Sequence, residues 1–347
     1  MHGDRQERRN ATMAMHQDLR LPVAARLTIR PAEEPSLVAT RRMRRVFDAE
    51  GRELLPGKLV LEERRSDLTT DVHAVEAFHA CGATYDFLAR VFLRNSIDNR
   101  GMAIESTVHF GQRYANACWN GRQMIFGDGD GRLFGRFTGA VDVVAHELMH
   151  GVVQHSARLP YFGQSGAVSE HLADAFGIMA KQFTVGQTAV QSDWLIGPGL
   201  FAARVRGRAI RSMLHPGSAY DDPVLGRDPQ PAHMDAYADT AEDNGGVHIN
   251  SGILNRAFAL AARELGGYTW TVLGRIWYRV LTASLMADTS FRSFARDTVA
   301  AAGELYGRGS RVQEIVAGAW AAVGLPAPVP ARSRVSLPHR ITTRSNH

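Results

Sequence analysis

The residues best suited to chemistry in this sequence lie in the segment VVAHELMH, residues 143–150. If the segment is helical, His146 and His150 lie one turn apart on one face, so both imidazoles can reach the same ion. Glu147 then lies beside any water that the ion carries. Two histidines and a glutamate in this HExxH spacing are typical of zinc hydrolases, in which the glutamate is the general base.

A catalytic zinc site needs a third protein ligand, and Glu170 is the best candidate downstream. It lies in GAVSEHLADAFG, where apolar residues recur at helical spacing: Val168, Leu172, Ala175, Phe176 and Met179. On this predicted helix Glu170 and Asp174 leave the same side. One carboxylate can bind the metal while the other accepts the ring N–H of a ligand histidine. A solvated acidic face is the alternative, which the upstream motif disfavours.

The elements that must position these residues form an α+β pattern, with strands early in the chain and helices later. Short apolar groups around a turn at Glu50-Gly51 predict a β-hairpin within residues 45–60, and Gly127–Gly131 predicts a turn rather than a calcium loop. Further strands are predicted at 107–110, 117–119 and 123–126. Further helices are predicted at 72–92, 253–262, 268–286, 290–305 and 310–323.

Composition excludes several classes of protein. The 347 residues are 45% hydrophobic and 22% charged, which indicates a globular chain long enough for two cores. No apolar run is long enough for a membrane span. The net charge of +5 belongs to the ends, because residues 1–45 carry +5 and residues 326–347 carry +4, which leaves −4 for residues 46–325. A nucleic-acid partner for the folded body is therefore not expected.

The two ends and the cysteines carry less information. Residues 1–45 lack the apolar core of a Sec signal, so the protein is expected either in the cytoplasm or secreted by a signal-independent route. Residues 326–347, with four prolines and four arginines, predict a disordered tail. Cys81 and Cys118 fit neither a metal motif nor a disulfide framework.

Several longer motifs follow in one order. HELMH is followed by Glu-x-x-x-Asp, then RSM at 211–213 and DNGGVHINSG at 243–252, and YANACWNGRQMIFGDGDG precedes them at 114–131. Together they resemble the thermolysin family of zinc metallopeptidases from about Ala49 to Gly324. FLRNSIDNRGM, SDWLIGPGL and YDDPVLGRDPQPA resemble its protealysin-like branch most closely.

The resemblance implies a two-domain thermolysin-like fold with the zinc site in the cleft. The N-terminal β-rich catalytic domain would span 46–156 and end in the HExxH helix, and the α-helical domain would span 157–325. The implied function is that of a zinc-dependent neutral endopeptidase acting on peptides or proteins, as a monomer. A different zinc hydrolase, and a catalytically inactive or autoinhibited binding protein on the same fold, are the alternatives.

The resemblance also implies a role for each residue of the site. His146, His150 and Glu170 would bind zinc, Glu147 would be the base, and Asp174 would orient a ligand. Tyr161 and His248 would stabilise the oxyanion, with Asp243 holding His248 protonated. The Asn116 amide and the Ala117 carbonyl would pair with the substrate backbone, and Arg211 would bind a substrate carbonyl.

An apolar specificity pocket is implied as well. Its lining would be Phe134, Phe137, Val143, Ile196, Leu200 and Ile210. The expected cleavage is on the N-terminal side of bulky hydrophobic residues, with Phe137 narrowing the pocket towards smaller aliphatic side chains.

The sequence departs from the family at the calcium site. Asp142 and Asp193 match calcium ligands, but Lys181, Leu195 and Pro198 stand where glutamates are expected. A calcium ion needs six to eight oxygen ligands, and an ammonium group cannot be one of them. We therefore expect a degraded calcium site in which Lys181 pairs with both aspartates. Ser169 also stands where an asparagine is common.

The resemblance to the protealysin-like branch also implies that residues 1–45 occupy the place of a short propeptide. Cleavage would fall between Ala39 and Glu53, making the full chain a zymogen. The expected proline-containing propeptide motifs are absent from the segment. A basic tail without an inhibitory role is the alternative.

Overall fold

The computed structural model describes residues 41–65 and 69–329. The predictions for residues 1–40 and 330–347 lie outside this part of the chain. No helix within the described ranges has the length and apolar character needed to cross a membrane. The elements, in chain order, are β1 (Arg44–Asp48), β2 (Lys58–Glu62), α1 (Val72–Phe92), β3 (Ile104–Val108), β4 (Ala117–Trp119), β5 (Met124–Phe126), α2 (Val141–Ser156), α3 (Gly163–Val185), β6 (Leu195–Ile196), β7 (Arg211–Ser212), β8 (Asp221–Asp222), β9 (Gly226–Arg227), α4 (Asp243–Leu265), α5 (Leu273–Ala283), α6 (Phe291–Tyr306) and α7 (Arg311–Ala321).

The first five strands form one sheet in the order β2-β1-β3-β5-β4. The predicted hairpin is confirmed, because β1 and β2 pair antiparallel. Strand β3 lies parallel to β1 and to β5, and β4 pairs antiparallel with β5. Strand β4 therefore lies at an edge of the sheet, with one side not paired to any other described strand.

Helix α1 has the predicted bounds and clear end signals. The Asp71 side chain caps its start by accepting a hydrogen bond from Ala74 N at 2.8 Å. The helix ends at Leu93, which adopts the left-handed conformation with φ 56°. Its buried face packs against the sheet and forms part of one continuous core with the later helices.

Glycines allow helix α2 to approach its neighbours closely. A Cβ at Gly177 would lie 2.6 Å from the Asp142 carbonyl oxygen, and a Cβ at Gly151 would lie 2.7 Å from the Ile97 side chain. A larger residue at either position would push α2 away from its neighbours. Since α2 carries the HExxH motif, these glycines help to set the position of the candidate ligands.

The turn predicted at 127–131 is confirmed only at its C-terminal end, because the chain bends at 131–133 and not at 127–130. The Asp130 carboxylate accepts hydrogen bonds from the backbone N–H groups of Arg132, Leu133 and Phe134 at 2.7 to 3.0 Å. Burial alone would raise the pKa of Asp130, but these N–H groups lower it below its ordinary value. Both cysteines are buried and free, as expected.

Several predicted boundaries are wrong. Strand β3 begins at Ile104 rather than at residue 107, because Ile104 pairs in register with Arg44, and it ends before His109, which has φ 54°. Helix α4 spans Asp243–Leu265, where only 253–262 was predicted. Helix α5 begins at Leu273 rather than at 268, because Thr269–Thr271 form a 3-10 turn.

Candidate metal and catalytic site

The structure brings the three predicted ligands together at the contact of α2 and α3. The Nε2 atoms of His146 and His150 lie 3.2 Å apart. Glu170 Oε2 lies 3.4 Å from His146 Nε2, and Glu170 Oε1 lies 3.3 Å from His150 Nε2. One ligand atom from each residue can therefore point at a common centre.

These residues fit a zinc ion. Ligand atoms that surround a tetrahedral zinc at about 2.0–2.1 Å are about 3.3 Å from one another, close to the observed spacing. Glu170 is fully buried, yet its Oε2 atom has no hydrogen-bond partner among the described residues. A buried carboxylate oxygen without a donor is costly, and a cation between the three residues would satisfy it.

Asp174 holds the first ligand in place. Its Oδ1 atom accepts hydrogen bonds from His146 Nδ1 at 2.8 Å and from Arg211 Nη2 at 2.6 Å. Its Oδ2 atom accepts from Arg211 Nε and from Asn255 Nδ2, both at 2.8 Å. With Nδ1 of His146 occupied as a donor, Nε2 presents its lone pair to the ligand centre.

The buried charges around this centre are strongly coupled. Burial alone would raise the pKa of Asp174, but the Arg211 guanidinium and the His146 ring hold it well below its usual range. Burial alone would lower the pKa of His146, but Asp174 and Glu170 raise it to about 10. Burial would also raise the pKa of Glu170, yet the rings of His248 and His150 hold it well below its ordinary value. The carboxylates thus make a pocket that favours positive charge.

Glu147 faces the strand at the sheet edge. Its Oε2 atom accepts a hydrogen bond from the backbone N–H of Trp119 in β4, at 3.2 Å. The carboxylate is therefore oriented from the sheet, next to the histidines on its own helix. Trp119 was not predicted for the site, since a backbone donor leaves no mark in the choice of side chain.

His248 is held by a sharp turn at the start of α4. Four consecutive residues, from Asp243 to Gly246, have φ between 50° and 81°, and a Cβ at Gly245 would lie 3.0 Å from Gly163 N. The turn lets Asp243 Oδ1 accept from His248 Nδ1 at 2.6 Å and Oδ2 accept from the His248 backbone N–H at 2.8 Å. His248 Nε2 then points into the site.

Tyr161, two residues before the start of α3, is the last member of the cluster. Its hydroxyl donates a short hydrogen bond to Glu170 Oε1 and lies 3.1 Å from His248 Nε2. The structure thus brings the three predicted metal ligands close to the four predicted catalytic residues: Glu147, His248, Tyr161 and Asp243.

Residues 32–154 match the family described as thermolysin metallopeptidase, catalytic domain, and residues 157–325 match thermolysin metallopeptidase, alpha-helical domain. The chain belongs to the thermolysin metallopeptidase family. It is therefore a zinc metalloendopeptidase that acts on peptides or proteins, with the two-part thermolysin-like fold that the resemblance implied.

Individual relatives support membership of the protealysin-like branch of the thermolysin family. An extracellular metalloprotease of Pectobacterium carotovorum subsp. carotovorum is 51% identical over 297 residues, which cover 85% of each chain. Protease PrtS of Photorhabdus sp. (strain Az29) is 46% identical over 285 residues, covering 81% of this chain and 76% of the relative. The solved structure of the precursor of protealysin, a metalloproteinase from Serratia proteamaculans, has a TM-score of 0.80 and 51% identity, with 82% of this chain and 88% of that chain covered.

The residues expected to bind substrate lie around this cluster. Ala117 opens β4, the edge strand, and the Asn116 carbonyl accepts a hydrogen bond from Gly127 N at 3.0 Å. Arg211 lies at the end of the short β6–β7 pair, where Nε and Nη2 bind Asp174. Among the described residues no hydrogen bond occupies Arg211 Nη1. The pairing of Arg211 with Asp174 was not predicted from the sequence.

The residues expected to form the apolar pocket fall into two packed groups. All six are buried or half-buried: Phe134, Phe137, Val143, Ile196, Leu200 and Ile210. The rings of Phe134 and Phe137 stack with centroids 5.7 Å apart. Leu200 and Ile210 meet at Gly197, where a Cβ would lie 2.8 Å and 3.1 Å from their side chains.

Lys181 lies between the two expected aspartates. Its Nζ atom is 3.3 Å from Asp142 Oδ2, 3.0 Å from Asp193 Oδ1 and 2.8 Å from the Leu195 carbonyl oxygen. Gly197 N also donates to Asp142 Oδ2, at 3.1 Å. Burial raises the pKa of Asp142 although Lys181 and this N–H group act in the opposite direction. The predicted contact of Lys181 with both aspartates is confirmed.

Asn255 is a further residue of the site that was not predicted. It donates to Asp174 through Nδ2, and its Oδ1 atom lies 2.8 Å from His171 Nδ1. It is fully buried in α4. The sequence does contain a sign of this role. Three polar residues, Asn250, Ser251 and Asn255, lie in an otherwise apolar helix, which indicates that they form buried hydrogen bonds.

Proposed function

We propose that this zinc endopeptidase cleaves on the N-terminal side of bulky hydrophobic residues, with His146, His150 and Glu170 as the metal ligands and Glu147 as the general base. The observation that carries this proposal is the triangle of ligand atoms at 3.2 to 3.4 Å, with a buried oxygen of Glu170 lacking a donor. When bound, zinc supplies Lewis acidity at the scissile carbonyl and acidifies the attacking water.

Glu147 moves the proton. Its carboxylate takes a proton from the water as the water oxygen bonds to the carbonyl carbon, and then gives that proton to the leaving amine as the C–N bond breaks. The Trp119 N–H group donates to one carboxylate oxygen of Glu147 at 3.2 Å, which orients the carboxylate beside the metal ligands. The step is balanced, since the water supplies both the hydroxyl and the proton of the products.

His248 and Tyr161 stabilise the oxyanion. Asp243 binds His248 Nδ1, so the proton for donation is carried on Nε2 in the imidazolium form. The Tyr161 hydroxyl donates to Glu170 Oε1 in this structure and lies 3.1 Å from His248 Nε2, so both groups can turn towards an oxyanion that forms beside them. Preorganised donors of this kind act only where negative charge develops in the transition state.

The substrate adds a strand to β4. The Asn116 amide and the Ala117 carbonyl bind the peptide backbone, and Arg211 binds a substrate carbonyl through Nη1. The two apolar groups, one with Phe137 and the other with Leu200, together accept the side chain after the cut. A peptide-library profile dominated by charged residues at that position would contradict this specificity.

The first test of the mechanism is Glu147→Gln. The variant should keep one equivalent of zinc, measured by elemental analysis, and lose turnover of a quenched peptide by about 10²- to 10⁴-fold. Glu105→Gln, a carboxylate on β3 whose Oε1 lies 3.2 Å from Arg45 Nη1, is the matched control and should keep parent activity. Cleavage by Glu147→Gln at the parent rate would exclude Glu147 as the base.

Lys181 takes the place of a calcium ion in this proposal. Support comes from its three oxygen contacts, at 2.8 to 3.3 Å, around a centre where two aspartates would otherwise face each other. Leu195 and Pro198 supply no carboxylate to hold calcium there. Added calcium should therefore not stabilise the protein.

The domain limits and maturation also belong to this proposal. We infer a catalytic domain of residues 46–156, which β1 extends to Arg44, and a helical domain of residues 157–325. The segment of residues 1–45 contains a removable propeptide of a secreted monomer, supported by an extracellular relative and by the precursor form of the protealysin structure. Cleavage must fall before Arg44 if β1 is to stay whole. Intact mass before and after activation tests this, and unchanged mass with full activity would favour the basic tail.

A further inference from the structure

A second group of metal-binding residues lies in the β-rich half of the chain. His73 is near the start of α1, His109 directly follows β3, and Asp128 is in the 127–131 segment. Asp128 Oδ1 lies 2.8 Å from His109 Nδ1 and 3.2 Å from His73 Nδ1. One ligand atom from each residue lies within 4.8 Å of the others. The group shares no residue with the catalytic site.

His73 Nδ1 is the atom that needs an explanation. It is buried and, among the described residues, has no hydrogen-bond partner, although the Asp128 oxygen is 3.2 Å away. His109 Nδ1 shares a hydrogen bond with Asp128, at 2.8 Å to Oδ1 and 3.0 Å to Oδ2, so His73 Nδ1 is the one converging ligand atom that is left unsatisfied. A cation between the three residues would satisfy it.

His109 is oriented as metal-binding histidines are. Its other ring nitrogen, Nε2, lies 3.2 Å from Asp71 Oδ2, while Asp71 Oδ1 caps α1. A carboxylate on the far nitrogen fixes the ring, and a bound ion would replace the proton that the near nitrogen, Nδ1, shares with Asp128 Oδ1 at 2.8 Å. The backbone of His109 has φ 54°, a conformation that non-glycine residues adopt at a cost and that occurs often at ligand sites.

We propose that His73 Nδ1, His109 Nδ1 and the Asp128 carboxylate form a second site for a divalent cation of the zinc class. Two imidazoles and one carboxylate suit zinc and cobalt, whereas calcium requires six to eight oxygens. Asp128 is 43% exposed on its side chain, so an ion can enter from solvent and water can complete its coordination.

The position of the site gives it a structural role. The ion would connect the start of α1, the end of β3 and the 127–131 segment. That segment also binds the backbone that leads into β4, because Gly127 N donates to the Asn116 carbonyl at 3.0 Å and Gly129 N donates to the Tyr114 carbonyl at 3.2 Å. Metal bound at His73, His109 and Asp128 would therefore stiffen the edge of the sheet.

The test is a metal titration of full-length protein already loaded with one zinc, in the Glu147→Gln background to prevent self-cleavage. Added Co²⁺ should bind one further equivalent, seen in its visible d–d absorption and counted by elemental analysis. His73→Gln and Asp128→Asn should each lose that equivalent. His79→Gln, on the exposed side of the same helix, should keep it.

A fourth variant tests the role of Asp71. Asp71→Asn keeps a good capping residue but removes the charge beside His109. It should raise the Kd of the second site for Co²⁺ by about 10- to 100-fold. Matched thermal unfolding of all variants without added cobalt shows that they are folded. If His73→Gln does not fold, Asp128→Asn, at an exposed position, gives the same test.

Three results would overturn the proposal: no second equivalent in the parent, a second equivalent that persists in His73→Gln or Asp128→Asn, or an equal loss in His79→Gln. Calcium that competes with cobalt at equal concentration would also refute the zinc-class assignment.

Discussion

Replacing Lys181 with methionine removes a charge from a site that depends on it. The Asp142 side chain is only 2% exposed, and Lys181 is 14% exposed with its ammonium 3.3 Å from that carboxylate. Methionine keeps much of the apolar stem but leaves Asp142 with backbone N–H donors alone. Two negative carboxylates, Asp142 and Asp193, would then face each other across the position of the lost cation.

Removing one partner of a buried ion pair costs about 3–5 kcal/mol. The lower end applies here, because the Asp193 side chain is 46% exposed and solvent screens its share. We expect Lys181→Met to reduce the free energy of unfolding by about 3 kcal/mol, and Tm by about 4–5 °C for a chain of this size. The double variant Lys181→Met/Asp142→Asn should recover part of the loss, since no buried charge is left unpaired.

The assay is calorimetry in the Glu147→Gln background, which prevents self-cleavage during heating. Lys58→Met is the matched control, because Lys58 is the other lysine of the chain and is exposed on β2. Millimolar calcium should leave the Tm of the parent unchanged. A loss in Lys181→Met no larger than in Lys58→Met, or a clear rise of the parent Tm with calcium, would refute the reasoning.

Three further predictions concern the site, the acid limit and the specificity. Asp174→Asn should raise the Kd for zinc by about 10- to 100-fold, since it weakens the hold on His146; competition with a chelator measures this. Burial alone would raise the pKa of Glu63, but Arg44 and Arg42 lower it below the ordinary value of 4.5. The stability that the Glu63 carboxylate contributes is therefore present above pH 4.5 and is lost as the pH falls through the pKa of the folded state. Glu63→Gln should therefore lower Tm at pH 7 and flatten its decline in acid; parallel pH profiles would contradict this. Phe137→Ala should shift a peptide-library profile towards larger aromatic residues after the cut, by about 10-fold in relative kcat/KM, and an unchanged profile would remove Phe137 from the pocket.

The metal centre was predictable because helical geometry relates sequence spacing to position. His146 and His150 are four residues apart, as are Glu170 and Asp174, and in each pair the side chains leave one face of their helix. The sequence also predicted that one carboxylate would face the metal and that the other would accept the ring N–H of a ligand histidine. Glu170 approaches both histidines, and Asp174 accepts the His146 ring N–H.

Other parts of the site could not be predicted, for physical reasons. The Trp119 N–H group that holds Glu147 is a backbone donor, and any residue other than proline would provide it. Arg211 was assigned to substrate, but its bond to Asp174 depends on how the β6–β7 pair packs against α3. The start of β3 was missed because the ends of short strands are set by their partners rather than by their own pattern of apolar residues.

If substrate binds along β4 as proposed, the edge position of this strand determines which proteins can be cut. This strand has only three residues and presents main-chain groups, which pair with any extended backbone. A target segment in a helix or a sheet must first break its own backbone hydrogen bonds before it can pair with β4. Susceptibility to this peptidase should therefore follow the free energy of local opening in the target more than its sequence. Rigid folded proteins should therefore be cut slowly, while loops and partly unfolded chains should be degraded first.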